Sequence, residues 1–497
     1  MLVTVVALVL AGCGSPKHQA EVVTSTSSAT SGSAGPLRQF YDQALEWKAC
    51  GDLQCTTVKV PIEYADVGAG STEVAIERSP ATGGKAVGSL LINPGGPGAS
   101  GVDFVADAVT RFGQDVLAKY DVVGFDPRGV AHSNPVRCQD DAAKDRLLSE
   151  DFDFSTDAGI AAAKAANKAM GEACAARSGA LLAHMDTVSV AKDLDVLRSA
   201  LGDDKLSYLG FSYGTLIGAT YAGLFPVHVG RMVLDGALDP ALDSAALGLG
   251  QAAGFESALR AYVTDCQGGP KCPLTGSVDN GLKQIHDLVE RARRGPLPTS
   301  SSRTLTGMLA FYGIAVTLYD NKSWPVLTQA LTPALADDDG TLLLRLADAY
   351  NERKADGSFA GNSTEAFTAV NCLDGAPSSD TAQMRAEAAQ IEQAAPTLGY
   401  YFSYGGVICA DWPYPPTGKP GPITADGAAP ILVIGTTNDP ATPYAWAEAL
   451  ASELSSGVLL TFQGEGHTAY GRSNECILGT VDAYLLDGSV PAEGKRC

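Results

Sequence analysis

Basic residues are scarce in this sequence of 497 residues: 35 Lys and Arg stand against 56 Asp and Glu, which gives a formal net charge of −21. A protein that holds nucleic acid by its phosphates needs a basic face, so this balance excludes nucleic acid as a partner and favours cationic ligands. The sequence also lacks His, Cys and carboxylate clusters at metal-ligand spacing and has no phosphate-cradling loop. We therefore expect neither a metal nor a cofactor.

The apolar run at the N-terminus, residues 2–12, is shorter than the ~20 residues that span a bilayer and has the length of a signal-peptide core. It runs into Cys13 and resembles a bacterial lipoprotein signal, so residues 1–13 are predicted to be a signal peptide in which Cys13 is lipidated. No Lys or Arg precedes the run, which leaves the apolar start of a soluble protein as the alternative. The Ser-, Thr- and Gly-rich residues 14–36 are predicted to be a disordered tether. We expect export, with a lipid anchor on the outer face of the cytoplasmic membrane or secretion.

Ten cysteines remain when Cys13 is set aside, an even number in a compartment that permits oxidation. Five disulfide bonds are therefore possible, although sequence alone does not determine their connectivity. Neighbours along the chain suggest the pairs Cys50–Cys55, Cys138–Cys174, Cys266–Cys272, Cys372–Cys409 and Cys476–Cys497.

Short β-branched runs bounded by Gly, Pro and Asp alternate with helical patterns, which predicts a mostly parallel sheet covered on both faces. Six strands are expected in the first half and two near the end, so residues 37–238 and 428–497 form one eight-stranded α/β core. Residues 239–427 show Ala- and Leu-rich helical segments without a strong strand, and we expect them to be an inserted, mainly helical cap. The predicted strands are residues 57–61, 73–77, 89–93, 120–125, 206–211, 230–234, 430–435 and 457–462.

The sequence Gly-Phe-Ser-Tyr-Gly at residues 210–214 stands where a predicted strand runs into a predicted helix. This is the pattern of a nucleophile elbow, in which a tight turn presents a serine hydroxyl at the start of a helix. Such a pentapeptide arises by chance in a chain with 55 glycines, but its position between strand and helix favours catalysis. Ser212 is the predicted nucleophile of an α/β-hydrolase fold.

A serine hydroxyl needs a base to remove its proton, and that base needs an acid to orient it. Of six histidines, His467 alone follows the last predicted strand, where the chain order Ser, Asp, His of this fold requires it. Asp439 follows the preceding strand and stands before Pro440, which stiffens the turn. An aspartate there could instead cap the next helix. We predict the triad Ser212, Asp439 and His467.

A tetrahedral oxyanion needs two preset N–H donors. The backbone of Tyr213, next to the nucleophile, is one expected donor. Gly96 is the other, because Asn-Pro-Gly-Gly-Pro-Gly at residues 93–98 follows the third predicted strand and lets the backbone approach a substrate closely.

These motifs resemble those of the secreted tripeptidyl aminopeptidases of actinobacteria, relatives of proline iminopeptidases. The resemblance covers the chain after the tether and implies removal of short N-terminal peptides from oligopeptides through an acyl-enzyme. The sequence departs from the family's pattern after Gly129, where it continues Val130-Ala131-His132-Ser133 and a second glycine is more usual. The matching motifs are residues 93–98, Asp-Pro-Arg-Gly at 126–129, residues 210–214, Val-Leu-Asp-Gly at 233–236, Asn-Asp-Pro-Ala-Thr-Pro at 438–443 and Gly-His-Thr at 466–468.

An aminopeptidase must recognise a free α-ammonium, and a carboxylate in a water-poor pocket does so economically. Asp374 is the candidate, since a bridge from Cys372 to Cys409 could hold it near the core, although a solvated loop aspartate is the more ordinary explanation. Thr442 could contact the acyl group or merely cap a helix. Two alternatives to a peptidase stay open: a carboxylesterase or lipase with the same triad, and a non-catalytic lipoprotein that binds ligands with its cap.

Overall fold

The computed structural model of the protein describes residues 35–497. Cys13 and residues 14–34 of the predicted tether lie outside the described residues. Within them, one nine-stranded sheet has the order β1-β2-β3-β5-β4-β6-β7-β8-β9. The strands are β1 (Lys48–Cys50), β2 (Leu53–Pro61), β3 (Ser71–Ser79), β4 (Gly88–Asn93), β5 (Tyr120–Phe125), β6 (Leu206–Phe211), β7 (Val229–Asp235), β8 (Ile431–Asn438) and β9 (Gly457–Glu465).

The pairs from β5 through β4, β6, β7 and β8 to β9 are parallel, whereas β1, β2, β3 and β5 pair antiparallel. The predicted α/β-hydrolase fold is confirmed, and each of the eight expected strands is present. The count of eight is corrected to nine by β1, which forms a hairpin with β2. Three residues are too few to show the alternation by which a strand is recognised in sequence.

Consecutive residues of the central strands are buried on opposite faces of the sheet. In β4, Leu90 and Ile92 join the hydrophobic cluster on one face of the sheet, while Leu91 joins a second cluster on the other face. Such double burial explains why these strands read as continuous apolar runs. The covering helices are α1 (Arg38–Tyr41), α2 (Gly101–Ala108), α3 (Gln114–Lys119), α6 (Thr187–Ala200), α7 (Tyr213–Leu224), α16 (Tyr444–Glu453) and α17 (Glu475–Asp487).

Between β7 and β8 the described chain contains helices but no strand of the sheet, and these helices have a core of their own. Two further helices, α4 (Asp141–Ser149) and α5 (Asp157–Ser178), precede β6 and pack on this helical layer, and the ring of Phe154, between them in sequence, stacks on Tyr404. The layer comprises α8 (Ser244–Gly268), α9 (Val278–Arg294), α10 (Gly307–Leu318), α11 (Trp324–Ala336), α12 (Thr341–Tyr350), α13 (Ser363–Gly375), α14 (Thr381–Ala394) and α15 (Gly406–Cys409).

Five disulfide bonds join the ten cysteines of the described chain, in the pairs that sequence neighbours suggested. The Cys372–Cys409 bond ties α13 to α15, and Cys476–Cys497 ties the C-terminus to α17. Across residues 35–497, none of the helices combines the length and the apolar character that a membrane crossing requires.

Candidate active site

The β6–α7 junction holds Ser212 in a conformation that few side chains adopt. Its backbone has φ 54° and ψ −126°, and a non-glycine residue at positive φ is strained. The turn is tight, because a Cβ added at Gly210 would lie 2.6 Å from the ring of Tyr208. The Ser212 amide donates to the carbonyl oxygen of Asp235 at 2.9 Å, which fixes the elbow against the end of β7.

Asp439 and His467 lie in direct hydrogen bond at the same edge of the sheet. Asp439 follows β8, His467 follows β9, and Nδ1 of the imidazole is 2.8 and 3.0 Å from the two carboxylate oxygens. Both residues are buried. The carboxylate also accepts backbone N–H groups from Ala441, Thr442 and Thr468 at 2.9 to 3.1 Å. An aspartate held by so many donors has a fixed orientation and fixes the imidazole in turn.

The second imidazole nitrogen, Nε2 of His467, is buried and has no hydrogen-bond partner within residues 35–497. A Cβ added at Gly236 would lie 3.2 Å from the imidazole Cε1, and Gly236 directly follows Asp235, which accepts the Ser212 amide. The predicted base therefore lies next to the elbow. Hydrogen bonds between a base and its nucleophile are often long before substrate binds, so a free Nε2 suits a base that awaits a proton.

The loop that carries His467 is held by an arginine that is largely shielded from solvent. The Arg472 guanidinium donates to the carbonyl oxygens of His467 and Thr468 through Nε, at 2.7 and 2.8 Å, and to that of Glu465 through Nη2 at 2.8 Å. Its side chain is only 10% exposed. Nothing in the sequence pattern singled out Arg472.

Asp235 holds the other end of this loop by accepting backbone N–H groups from Ala469 and Tyr470, at 2.7 to 3.0 Å. Complete burial raises the pKa of Asp235 to about 6, although these N–H groups oppose the shift. The cap adds a third contact, since the Tyr319 carbonyl accepts the His467 amide at 2.8 Å and its ring packs edge-on against the imidazole. The Val-Leu-Asp-Gly motif was the one sequence signal for Asp235.

Thr442 lies beside the imidazole, and its contact with the acyl group of a substrate stays a prediction. Its hydroxyl is 3.3 Å from Nδ1 of His467, and its amide donates to Asp439. It does not cap α16, which begins after Pro443 without a side-chain cap. The hydroxyl thus joins the contact between imidazole and carboxylate.

Residues 93–98, hereafter the glycine loop, pack directly on the elbow. A Cβ added at Gly95 would lie 2.9 Å from Ser212 Cβ and 3.0 Å from the Tyr213 nitrogen, so only glycine permits this approach. The side chain of Asn93 accepts the Gly95 amide at 2.9 Å and holds the loop in place. Gly96 is exposed. The two predicted oxyanion donors therefore lie on adjoining segments beside the nucleophile.

Asp374 lies at the end of α13, facing the start of α6. Its carboxylate accepts the amide of Thr187 at 2.7 Å and the Thr187 hydroxyl at 2.5 Å, and that hydroxyl is also 2.6 Å from the Tyr213 hydroxyl. Burial raises the pKa of Asp374 to about 7. The carboxylate thus joins the cap to the elbow, and its assignment to the substrate ammonium stays a prediction.

Comparisons with known proteins show which proteins this chain resembles over its length. Residues 395–497 match the family model described as TAP-like protein. The serine protease Hip1 of Mycobacterium tuberculosis is 40% identical over 479 residues, covering 92% of this chain and 91% of that protein. A M. tuberculosis protein named carboxylesterase B is 40% identical over 467 residues, 91% of this chain and 89% of its own. The tripeptidyl aminopeptidase of Streptomyces lividans is 31% identical over 467 residues, 92% and 86% of the two chains.

Proposed function

The chain belongs to the family of α/β hydrolases that contains tripeptidyl aminopeptidases and the serine protease Hip1, and from this premise we propose that it is a serine exopeptidase that releases short N-terminal peptides from oligopeptides. The observation that carries the proposal is the imidazole of His467, whose Nδ1 is held by Asp439 while its buried Nε2 stays free beside the elbow.

In the proposed reaction, the Ser212 hydroxyl attacks the carbonyl carbon of the scissile peptide bond and His467 Nε2 accepts its proton. Asp439 keeps the proton of the neutral imidazole on Nδ1 and stabilises the imidazolium that forms. The protonated imidazole then gives its proton to the leaving amine, so the C–N bond breaks and an acyl-enzyme remains on Ser212. Water, deprotonated by the same nitrogen, then attacks the acyl carbon. The bond to the Ser212 oxygen breaks, the imidazolium returns its proton to that oxygen, and the short peptide leaves with a free carboxyl group.

The negative charge on the tetrahedral oxygen is expected to meet the backbone N–H groups of Gly96 and Tyr213. Tyr213 begins α7, where the first amides of a helix lack internal acceptors. Each such donor contributes about a hundred- to a thousandfold in rate. The nearness of Gly95 to Ser212 and Tyr213 supports this pairing, because the glycine loop and the elbow then enclose one small site.

The proposal is tested with a tripeptide p-nitroanilide, its N-acetylated form and a short-chain p-nitrophenyl ester, on the wild type and Ser212→Ala. We expect release of p-nitroaniline from the free tripeptide, a large loss on acetylation, and no turnover by Ser212→Ala. Equal cleavage of the two peptides would refute the aminopeptidase assignment.

A carboxylesterase or lipase with the same triad is the second candidate, favoured by the relative named carboxylesterase B. If the ester alone turns over, this function replaces the first. The two functions use the same three side chains, so the substrate rather than the triad separates them.

We also propose that the protein is exported and anchored by a lipid on Cys13. The five disulfide bonds support an oxidising compartment. Expression with radiolabelled palmitate tests the anchor: label should enter the wild type and be absent from Cys13→Ala, which should leave the membrane fraction. Label in both proteins, or in neither, would refute it.

A further inference from the structure

A carboxylate outside the Ser212, Asp439 and His467 group lies close to the glycine loop. Glu352 follows α12 by two residues and is half-buried. Its carboxylate lies against the segment that leads into α13, since a Cβ added at Gly361 would lie 2.7 Å from Oε2, and the hydroxyl of Ser363, the first residue of α13, lowers its pKa. The main chain of Ser363 packs on the glycine loop, since a Cβ added at Gly98 would lie 2.6 Å from the Ser363 carbonyl oxygen. One residue therefore connects Glu352 to the loop beside the nucleophile.

The same part of the cap also reaches the histidine. Tyr350, the last residue of α12, has its ring centroid 6.4 Å from that of Tyr319, and Tyr319 packs edge-on against His467 at 5.4 Å. Tyr350 and Phe367, one turn into α13, are large apolar side chains that remain exposed. Residues 350–363 thus extend from the ring beside the histidine to the glycine loop and carry the carboxylate of Glu352 near exposed aromatic surface. The other carboxylate of this segment, Asp356, is exposed and accepts the amide and the hydroxyl of Ser358.

Glu352 forms no ion pair among the described residues. The positive charge of Lys144 acts on the Glu352 carboxylate from a distance, but the Lys144 ammonium forms its salt bridge with Glu365, at 2.8 Å. Burial raises the pKa of Glu352, and the negative charge of Asp103 adds to the shift, while Lys144 and the Ser363 hydroxyl oppose it. An anion in this position is poorly compensated, so a cationic group that binds beside it gains more than it would in water.

We propose that the carboxylate of Glu352 binds the free α-ammonium of the peptide substrate, an inference that rests on the proposed function. Three extended residues separate the scissile carbonyl from the terminal nitrogen and span about 10 Å, a reach suited to a cap residue beyond the glycine loop. A carboxylate recognises an ammonium through charge-assisted hydrogen bonds. Asp374, by contrast, already accepts two hydrogen bonds from Thr187.

The test compares Glu352→Gln with the wild type on the free and the N-acetylated tripeptide p-nitroanilide. Glutamine keeps the shape and an acceptor for Ser363 but removes the charge. We expect KM for the free peptide to rise about 10- to 100-fold, with little change for the acetylated peptide, so that the preference for a free N-terminus collapses. Glu392→Gln, which removes one exposed charge from α14, is the matched control and should keep the preference.

Glu352→Asp guards against a variant that fails to fold, because aspartate tolerates the left-handed backbone found here, φ 57°, and keeps the charge. It should retain a preference for the free peptide at a higher KM. A preference unchanged in Glu352→Gln overturns the inference, as does its collapse in Asp374→Asn instead. A wild type that hydrolyses only esters overturns the proposed function itself, and that result is seen before any variant is made.

Discussion

Arg472 offers the sharpest test of how the site is held together. Its guanidinium donates hydrogen bonds to three carbonyl oxygens of the loop that carries His467. A lysine ammonium is a compact group without the planar arrangement of donors, so it cannot bind all three oxygens in the same geometry. Hydrogen bonds from a charged donor contribute about 1.5–3 kcal/mol each, so the loss of one or two in Arg472→Lys costs about 1.5–6 kcal/mol locally. The imidazole should shift, and a 1 Å displacement of a catalytic group lowers the rate about a hundredfold.

The assay is steady-state hydrolysis of the free tripeptide p-nitroanilide together with thermal unfolding. Arg472→Lys should lower kcat about 10- to 100-fold, leave KM within a few-fold and lower the unfolding midpoint by a few degrees. Arg78→Lys is the control, because Arg78 is a half-buried guanidinium that contacts Asp121 and Gln54 away from the site. It should lose stability with kcat retained. The same loss of kcat in both variants, or a normal kcat in Arg472→Lys, would refute the positioning role.

Three further predictions follow from the site. Asp439→Asn should lower kcat about ten-thousandfold with KM little changed, because the wrong imidazole tautomer is then favoured; a loss under tenfold would contradict the assignment. Thr442→Val removes a hydroxyl 3.3 Å from His467 Nδ1 and should lower kcat about 3- to 30-fold, measured against Thr437→Val, an exposed position whose variant should retain the wild-type rate. Burial raises the pKa of Asp235 to about 6 and that of Asp374 to about 7, so the folded protein binds protons more tightly than the unfolded chain. These groups stabilise the fold at pH 4, and that contribution is lost as pH rises toward 7; differential scanning calorimetry should show a flatter pH profile for Asp374→Asn.

The central strands and the positions of Ser212, Asp439 and His467 after them could be predicted from the sequence because their signals are local. Strands β5 and β6 have the bounds that their apolar runs predicted, and Ser212, Asp439 and His467 each follow a strand in the order that the fold demands. Each of these signals consists of a strand, a turn and one polar residue that follow one another in sequence, so each can be recognised within a short segment of the chain.

What sequence could not supply are contacts between distant segments. Arg472 and Asp235 are separated by more than two hundred residues yet hold opposite ends of one loop, and Tyr319 meets that loop from the cap. The packing of α4 and α5 on the cap layer was missed for the same reason, because periodicity predicts a helix but not its partner. Glu352 belongs to no sequence motif, and only its position near the glycine loop in the structure indicates a role in substrate binding.

The central claim is that Ser212 becomes a nucleophile because His467 stands beside it. Reaction with a fluorophosphonate, followed by peptide mapping in a mass spectrometer, tests this directly. We expect one adduct per chain, on Ser212, formed at least a hundredfold more slowly in His467→Gln. An adduct on another residue, or labelling of Ser212 at the wild-type rate without the imidazole, would contradict it.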